Sequence, residues 1–193
     1  MARKVFFSFD YDRDAWRAGQ VRNSNLLPTE DKKGYVDAVE WESIKKQDKA
    51  SIERWINDQL TGTSVTAVLI GAETADSEWV QYEIVQSWSR GNGLVGIWIH
   101  NIKDQDSKTD VPGRNPLDDF ELSDGTILSS VCETHDWVMA DGRNNLGTWV
   151  DEAVKRRARY ATESEIVPVK KARRTAHPVV SSGFAPRAPW SPK

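Results

Sequence analysis

The sequence places one acidic side chain among aromatic residues on a predicted helix. Residues 78–90 are expected to form this helix, which Ser77 is expected to cap and which ends at the glycines that follow. Trp79 and Glu83 are four residues apart and share a face, with Tyr82 beside them. A carboxylate in such a place can stabilise a developing positive charge on a ligand. The spacing alone, however, favours a plainer role, in which Glu83 complements the helix dipole and Trp79 packs in the core.

Other residue types that often carry chemistry form weaker patterns. The three histidines, His100, His135 and His177, lack the spacing of a metal site. Cys132 is the single cysteine, so no disulfide framework or cysteine metal cluster is expected. Cys132 near His135 only weakly suggests a thiol nucleophile, and a buried structural thiol is the preferred interpretation.

Two further kinds of site are disfavoured. The pair 118–119 is acidic and could bind a cation, but a solvated loop is the better interpretation. No GxGxxG or Walker-type loop follows any predicted strand. This disfavours a Rossmann dehydrogenase and a P-loop NTPase.

The elements around Glu83 alternate between strands and helices. Compact apolar runs predict buried strands at 4–9, 64–71 and 94–99, with a short strand at 35–41. Apolar spacing predicts helices at 15–25, 42–60 and 78–90. This order predicts an α/β fold with a doubly wound, mostly parallel sheet and helices on both faces. Ligands bind at the carboxyl ends of the strands in such sheets.

The C-terminal part of the chain is less regular. Residues 101–119 form a long polar loop, and loops of this length are often functional. An edge strand is expected at 127–131 and a final surface helix at 146–160. We expect one domain over residues 1–160, followed by a basic tail, 161–193, rich in Pro, Ala and Ser and extended or mobile.

Charge and hydropathy exclude several classes of protein. Of the 193 residues, 38% are hydrophobic and 28% are charged, which is typical of a soluble globular protein. Residues 155–193 carry ten basic and two acidic side chains, so the rest of the chain is acidic and is not expected to bind nucleic acid. No stretch approaches the roughly 20 apolar residues of a membrane span, and the N-terminal apolar run is too short for a signal peptide. We expect a cytoplasmic protein that does not bind membranes.

Several segments together resemble a known family. They are KVFFSFDYDRD near the N-terminus, VDAVEW at 36–41, SVTAVLIGAET at 64–74, SEWVQYEI at 77–84, GLVGIWIHNIKD at 93–104 and GRNPLDDF at 113–120. Over residues 3–150 the chain resembles the TIR-like proteins of bacterial Thoeris antiphage defence systems. The resemblance implies a flavodoxin-like TIR fold.

The resemblance also implies an activity and a site. On a phage-derived trigger, such an enzyme cleaves NAD to nicotinamide and a cyclic ADP-ribose isomer that activates a separate effector protein. NAD is then the substrate, and no cofactor is expected. Glu83 and Asn115 match the catalytic positions of the family, which reverses the plainer interpretation of Glu83. The expected substrate-binding residues are Phe6, Phe7, Ser8, Asp37, Trp41, Trp79 and Tyr82.

Two other functions remain open at this point. A non-catalytic TIR-like module would assemble with partners, and the nine tryptophans would suit such an interface, including one in a homo-oligomer. A plain NAD hydrolase would deplete NAD without producing a signal. A receiver-like phosphoacceptor domain is disfavoured because the acidic cluster and the late lysine of that class are missing.

Overall fold

Five parallel strands form the central sheet of the protein. The computed structural model describes residues 3–24, 32–33 and 43–169. The sheet consists of β1 (Val5–Ser8), β2 (Lys32–Lys33), β3 (Val65–Ile70), β4 (Gly93–Trp98) and β6 (Thr134–Asp136). Their spatial order is β2-β1-β3-β4-β6, and every pairing is parallel. Counted over these strands alone, this is the 2-1-3-4-5 order of flavodoxin-like folds, which confirms the predicted fold class.

The middle of this sheet is covered on both faces. All six residues of β3 are buried, and they are apolar except for one threonine. A continuous apolar, β-branched run is typical of a central parallel strand with helices on either side. The strands predicted at 4–9, 64–71 and 94–99 are therefore confirmed as β1, β3 and β4, each within a residue or two of its predicted ends.

Helices pack against the sheet. They are α1 (Tyr11–Arg22), α2 (Lys49–Leu60), α3 (Glu78–Ser89), α4 (Leu128–Val131) and α5 (Gly142–Ala158), with two 3-10 turns at Thr74–Asp76 and Pro116–Asp119. Three of these helices begin at a residue other than the predicted one: α5 begins four residues early, at Gly142, and an aspartate caps the other two. Asp10 accepts from the backbone N–H of Asp12, so α1 starts four residues earlier than expected. Asp48 accepts from the N–H of Ser51 and caps α2 at Lys49, so the helix predicted at 42–60 is interrupted at 46–48, with residues 43–45 helical before the break.

Three further expectations need correction. The edge strand predicted at 127–131 is wrong, because Leu128 and Val131 are buried three residues apart on the short helix α4. Ser77 occupies the N-cap of α3, but its side chain makes no capping hydrogen bond. The final helix is not merely superficial, since α5 buries four apolar residues and packs on β4. The strand predicted at 35–41 lies outside the described residues.

The chain continues to contact the domain beyond α5. Ile166 is buried, and β7 (Val167–Pro168) pairs antiparallel with β5 (Phe120–Glu121). The domain boundary at residue 160 stays a prediction, and residues 170–193 lie outside the described part of the chain. None of the helices in the described residues is long and apolar enough to cross a membrane.

Candidate active site

One row of residues across the sheet contacts the two predicted catalytic side chains. In the register of the strands, Ser8 pairs with Val68, Val68 with Gly96, and Gly96 with Thr134. Residues paired in this way point to the same face of a parallel sheet. That face is covered by α3, because Thr66, two residues before Val68 on β3, hydrogen-bonds to Ser87 of α3. Glu83 and Asn115 both contact side chains of this row.

Glu83 lies on the inner face of α3, against the carboxyl end of β1. Its side chain is 2% exposed. The Ser8 hydroxyl donates to its Oε2 at 2.5 Å, and Ser8 itself is fully buried. The helix therefore brings Glu83 to the edge of the sheet at which ligands bind in doubly wound folds.

The surroundings of Glu83 strongly favour its neutral form. Burial raises the pKa of Glu83 from 4.5 to about 8, although the hydrogen bond from Ser8 acts in the lowering direction. Removal from water disfavours the charged form of a carboxyl group. A carboxyl with a strongly perturbed pKa at the ligand-binding edge is a candidate functional group.

Asn115 is held by two hydrogen bonds of its own amide. Its Oδ1 accepts from the N–H of Leu117 at 3.0 Å, which caps the 3-10 turn Pro116–Asp119. Its Nδ2 donates to the Thr134 hydroxyl at 3.2 Å. This turn packs on α3, the helix that carries Glu83. The amide is thus fixed in position over β6.

Glu83 and Asn115 lie over the same face of the sheet but not beside each other. Ser8 and Thr134, the residues beneath them, are separated by three strand spacings, about 14 Å. Gly96 lies between them in this row, and a Cβ atom there would be 2.8 Å from the Thr134 hydroxyl. The two candidate catalytic residues therefore stand over different parts of the sheet.

Trp79 and Tyr82 line a surface pocket beside α3, the helix that carries Glu83. The pocket has a volume of about 260 Å³ and is also lined by Lys49, Phe120 and Pro168. The Tyr82 hydroxyl accepts from the Asn57 amide at 2.8 Å, and the Lys49 ammonium lies 5.9 Å from the centre of a Trp79 ring. Glu83 is not among the residues that line this pocket, because it belongs to the buried residues of α3.

The remaining predicted substrate-binding residues divide into two groups. Phe6 and Phe7 are at most 1% exposed and pack in the hydrophobic core. Their proposed place in the binding pocket stays a prediction. Asp37 and Trp41 lie outside the described residues.

Three residues of interest were not identified from the sequence. Thr134 holds Asn115, and Asp14 and Arg17 form a buried ion pair at 3.5 Å on α1. The helix predicted at 15–25 begins after Asp14, so only Arg17 of this pair is predicted to lie on it. The signal that could have revealed the pair is the spacing, because charges three residues apart on a helix face each other.

The other constellations weighed from the sequence have structural roles. Burial raises the pKa of the Cys132 thiol to about 12, as expected of an inert structural cysteine. His135 stacks on Trp149 with ring centres 4.3 Å apart. Asp119 accepts from Arg114 at 2.8 Å. Within the described residues, no three His, Cys, Asp or Glu side chains are arranged to hold a metal ion.

Comparison with known proteins agrees with this architecture. The family model for the Thoeris protein ThsB, TIR-like domain, matches residues 6–104. A protein of Bacillus cereus (strain MSX-D12) is 34% identical over an alignment of 192 residues, which includes 78% of this chain and all of the relative. The relative is named "Putative cyclic ADP-D-ribose synthase ThsB1". The chain therefore belongs to the TIR-like family of Thoeris ThsB proteins.

Proposed function

We propose that this protein is an antiphage defence enzyme that cleaves the nicotinamide–ribose bond of NAD and produces a cyclic ADP-ribose-type signal. The observation that carries the proposal is the buried Glu83 carboxyl, held by Ser8 at the carboxyl edge of the sheet. The name of the 34% identical relative, "Putative cyclic ADP-D-ribose synthase ThsB1", supports the same reaction class. NAD is the substrate in this proposal, and the chemistry needs no further cofactor.

The reaction requires little proton transfer at the bond that breaks. The nicotinamide ring of NAD carries a positive charge on the nitrogen bonded to ribose. When this bond breaks, its electron pair goes to that nitrogen, and nicotinamide leaves as a neutral molecule. The ribose is left as an oxocarbenium-like cation. A single carboxylate beside the ribose can stabilise this cation, and Glu83 is the candidate for that role.

The high pKa of Glu83 is compatible with this role. Without substrate, burial keeps the carboxyl mostly neutral at pH 7, since its pKa is about 8. A positive charge within about 4–6 Å of a carboxyl group favours its ionised form. We therefore expect the cationic nicotinamide nucleoside to lower the pKa of Glu83. The carboxyl would then ionise beside the ribose on which the positive charge develops.

Asn115 is proposed to contact a different part of the substrate. The row positions beneath Glu83 and Asn115 are about 14 Å apart, so one ribose is not expected to touch both side chains. NAD is a dinucleotide with two separate nucleoside halves. In this proposal Glu83 serves the nicotinamide ribose and Asn115 the other half, while Trp79 and Tyr82 offer rings for stacking at the neighbouring pocket.

The fate of the ribosyl cation decides between signalling and depletion. Attack by a hydroxyl of the adenosine ribose in the same molecule forms a new C–O bond, releases a proton and gives a cyclic product. Attack by water releases a proton and gives linear ADP-ribose. Cyclisation requires that water is kept from the cation. In the proposed pathway a phage-derived trigger starts the reaction, and the cyclic product diffuses to a separate effector protein.

The test compares three proteins: wild type, Glu83→Gln and Glu152→Gln. Glu152 is a matched control because it lies on α5, which packs on the opposite face of the sheet, and its side chain pairs with Lys155 near the surface. Each protein is incubated with NAD, with and without lysate from phage-infected cells, and products are separated by chromatography. We expect nicotinamide release and a cyclic product from wild type and Glu152→Gln, and a loss of at least 100-fold for Glu83→Gln.

Each other result has a defined meaning. Equal turnover by Glu83→Gln and wild type would refute the assignment of Glu83. Linear ADP-ribose alone would favour depletion over signalling. No turnover by wild type in infected lysate, together with self-association or partner binding, would favour the interaction module.

A further inference from the structure

A polar segment crosses the ligand-binding edge of the sheet. We name residues 101–113 the strap. It leaves the sheet after β4, and the Asp110 N–H donates back to the His100 carbonyl at 2.8 Å. At its far end, Gly113 packs so closely on the chain after β3 that a Cβ atom there would be 2.1 Å from the Gly71 carbonyl oxygen. Asn115 follows directly after the strap.

The strap lies at the point where the strand order reverses. In a 2-1-3-4-5 sheet, β1 and β3 are neighbours, and their connections leave to opposite faces. Ligands bind in the crevice at this switch point. The carboxyl ends of β1 and β3, the start of α1 and the strap surround it here. The position of the strap is thus expected to shape the mouth of the site.

Arg17 of α1 is the residue that holds the strap most directly. Its Nε donates to the Ile102 carbonyl at 3.0 Å. Its Nη2 donates at 3.3 Å both to Asp104 and to the Lys108 carbonyl. The guanidinium therefore bonds to three separate residues of the strap, although Arg17 is only 5% exposed.

Charge balance explains how an arginine tolerates this burial. A buried cation is costly unless it is paired and hydrogen-bonded. Asp14, one turn earlier on α1, is fully buried and lies 3.5 Å from the Arg17 guanidinium. Asp110 of the strap lies 3.6 Å from the same guanidinium nitrogen. Arg17 is thus paired with a carboxylate of its own helix and with the carboxylates of the strap.

Two other side chains of α1 also contact the strap, but they are not expected to replace Arg17 in holding it. Arg13 bonds to Asp110 through two nitrogens at 3.0 and 3.1 Å, but its side chain is 38% exposed. Gln20 donates to the Lys103 carbonyl at 2.7 Å near the surface. Exposed ion pairs contribute little to stability because water screens them. The buried guanidinium is therefore expected to dominate the attachment of the strap.

We propose that Arg17 is a positioning residue that holds the strap at the switch point and thereby sets the affinity of the enzyme for NAD. Arg17 does not touch the reacting atoms in this proposal. If the strap loosens, only a fraction of the molecules present the binding-competent edge, and the apparent affinity falls by that fraction. The chemical step at Glu83 then stays unchanged once NAD is bound. The role in NAD binding rests on the function proposed above.

The test uses Arg17→Lys, Asp104→Asn and the control Arg3→Lys in the full chain. Lysine keeps the charge of Arg17 but loses its planar set of donors. Asp104→Asn weakens the contact between Arg17 and the strap by changing the strap residue. It remains informative if Arg17→Lys does not fold. Arg3 is a control because it forms an exposed ion pair with Asp151 far from the strap. Neither arginine-to-lysine change alters the number of trypsin sites.

Two measurements separate positioning from a general loss of stability. The first is the rate of trypsin cleavage after Lys108, whose carbonyl Arg17 holds. The second is the KM and kcat for nicotinamide release from NAD in the presence of infected lysate. For Arg17→Lys we expect cleavage and KM to rise about tenfold while kcat stays within twofold. Asp104→Asn should change both in the same direction, and Arg3→Lys should match wild type.

The outcomes that overturn the inference differ from those that overturn the proposed function. An unchanged KM in both Arg17→Lys and Asp104→Asn would refute positioning, even if cleavage were faster. A lower kcat with an unchanged KM would indicate a smaller folded fraction only, and would refute it as well. Failure of the proposed function would appear in the wild type itself, which would then release no nicotinamide.

Discussion

The buried carboxyl of Glu83 makes a quantitative prediction about stability, independent of any substrate. The folded protein retains the proton of Glu83 up to about pH 8, whereas an ordinary glutamate releases it near 4.5. The folded state therefore binds more protons than the unfolded state between these two pH values. Its stabilising contribution is fully present below pH 4.5 and is lost as the pH rises through 8. Glu83→Gln removes this dependence, because glutamine does not titrate.

The size of the effect follows from the two pKa values. Between them, each pH unit removes about 1.4 kcal/mol from the free energy of unfolding of the wild type. Between about pH 5.5 and pH 7.5 the wild type should thus lose roughly 2 to 3 kcal/mol relative to Glu83→Gln. The variant also keeps an oxygen that can accept the hydrogen bond from Ser8. It should therefore be more stable than the wild type at pH 7.5 while it loses activity.

Chemical denaturation at a series of pH values measures this difference. Wild type, Glu83→Gln and Glu78→Gln are unfolded in urea, and the free energies are compared at each pH. Other titrating groups are common to all three proteins and cancel in the differences. Glu78 is largely exposed, so its variant should follow the wild type within about 0.5 kcal/mol. A difference between wild type and Glu83→Gln that is constant over this range would refute the raised pKa of Glu83.

Three further predictions concern residues around the site and the core. Ser8→Ala removes the hydrogen bond that lowers the pKa of Glu83, so the pH profile of nicotinamide release should shift to higher pH; an unshifted profile would contradict the pairing. Gly71→Ala would place a Cβ atom 1.9 Å from Asp14 Oδ2 and should lower the free energy of unfolding by about 1–3 kcal/mol or more in urea denaturation. Adding Asp14→Ala should recover part of that loss, and strictly additive effects would speak against the contact. The buried Cys132 thiol, with a pKa raised to about 12, should resist iodoacetamide at pH 8 until the protein is unfolded, as mass spectrometry would show; rapid labelling of the native protein would argue against its burial.

Much of the fold follows from local patterns in the sequence. The apolar runs of β1, β3 and β4 are long enough to be strands and too short for buried helices, and glycines or polar residues bound them. The alternation of these strands with amphipathic helices leaves a parallel, doubly wound sheet as the simplest arrangement. The position of Glu83 on the helix after β3, near the carboxyl edge, follows from the same order. The helix α4 is an exception, since two apolar residues three apart suit a short helix as well as a strand.

The partners of the site residues could not be predicted in this way. Ser8 and Glu83 are 75 residues apart, and Asn115 and Thr134 are 19 apart. Their contacts depend on which strands are neighbours and on the register between them. Long-range packing decides both, and a shift of one residue would turn each side chain to the other face.

The buried charged groups show most clearly the difference between what local sequence patterns predict and what tertiary packing decides. Apolar periodicity in the sequence predicts the parallel sheet and the helix of Glu83, but it begins the first helix after Asp14 and so does not place the Asp14–Arg17 pair on one helix. Only the tertiary structure decided that the strap closes over this pair and that burial raises the pKa of Glu83. The physical reason is that hydrophobic periodicity is encoded locally, whereas desolvation and charge pairing depend on every segment that excludes water from a group.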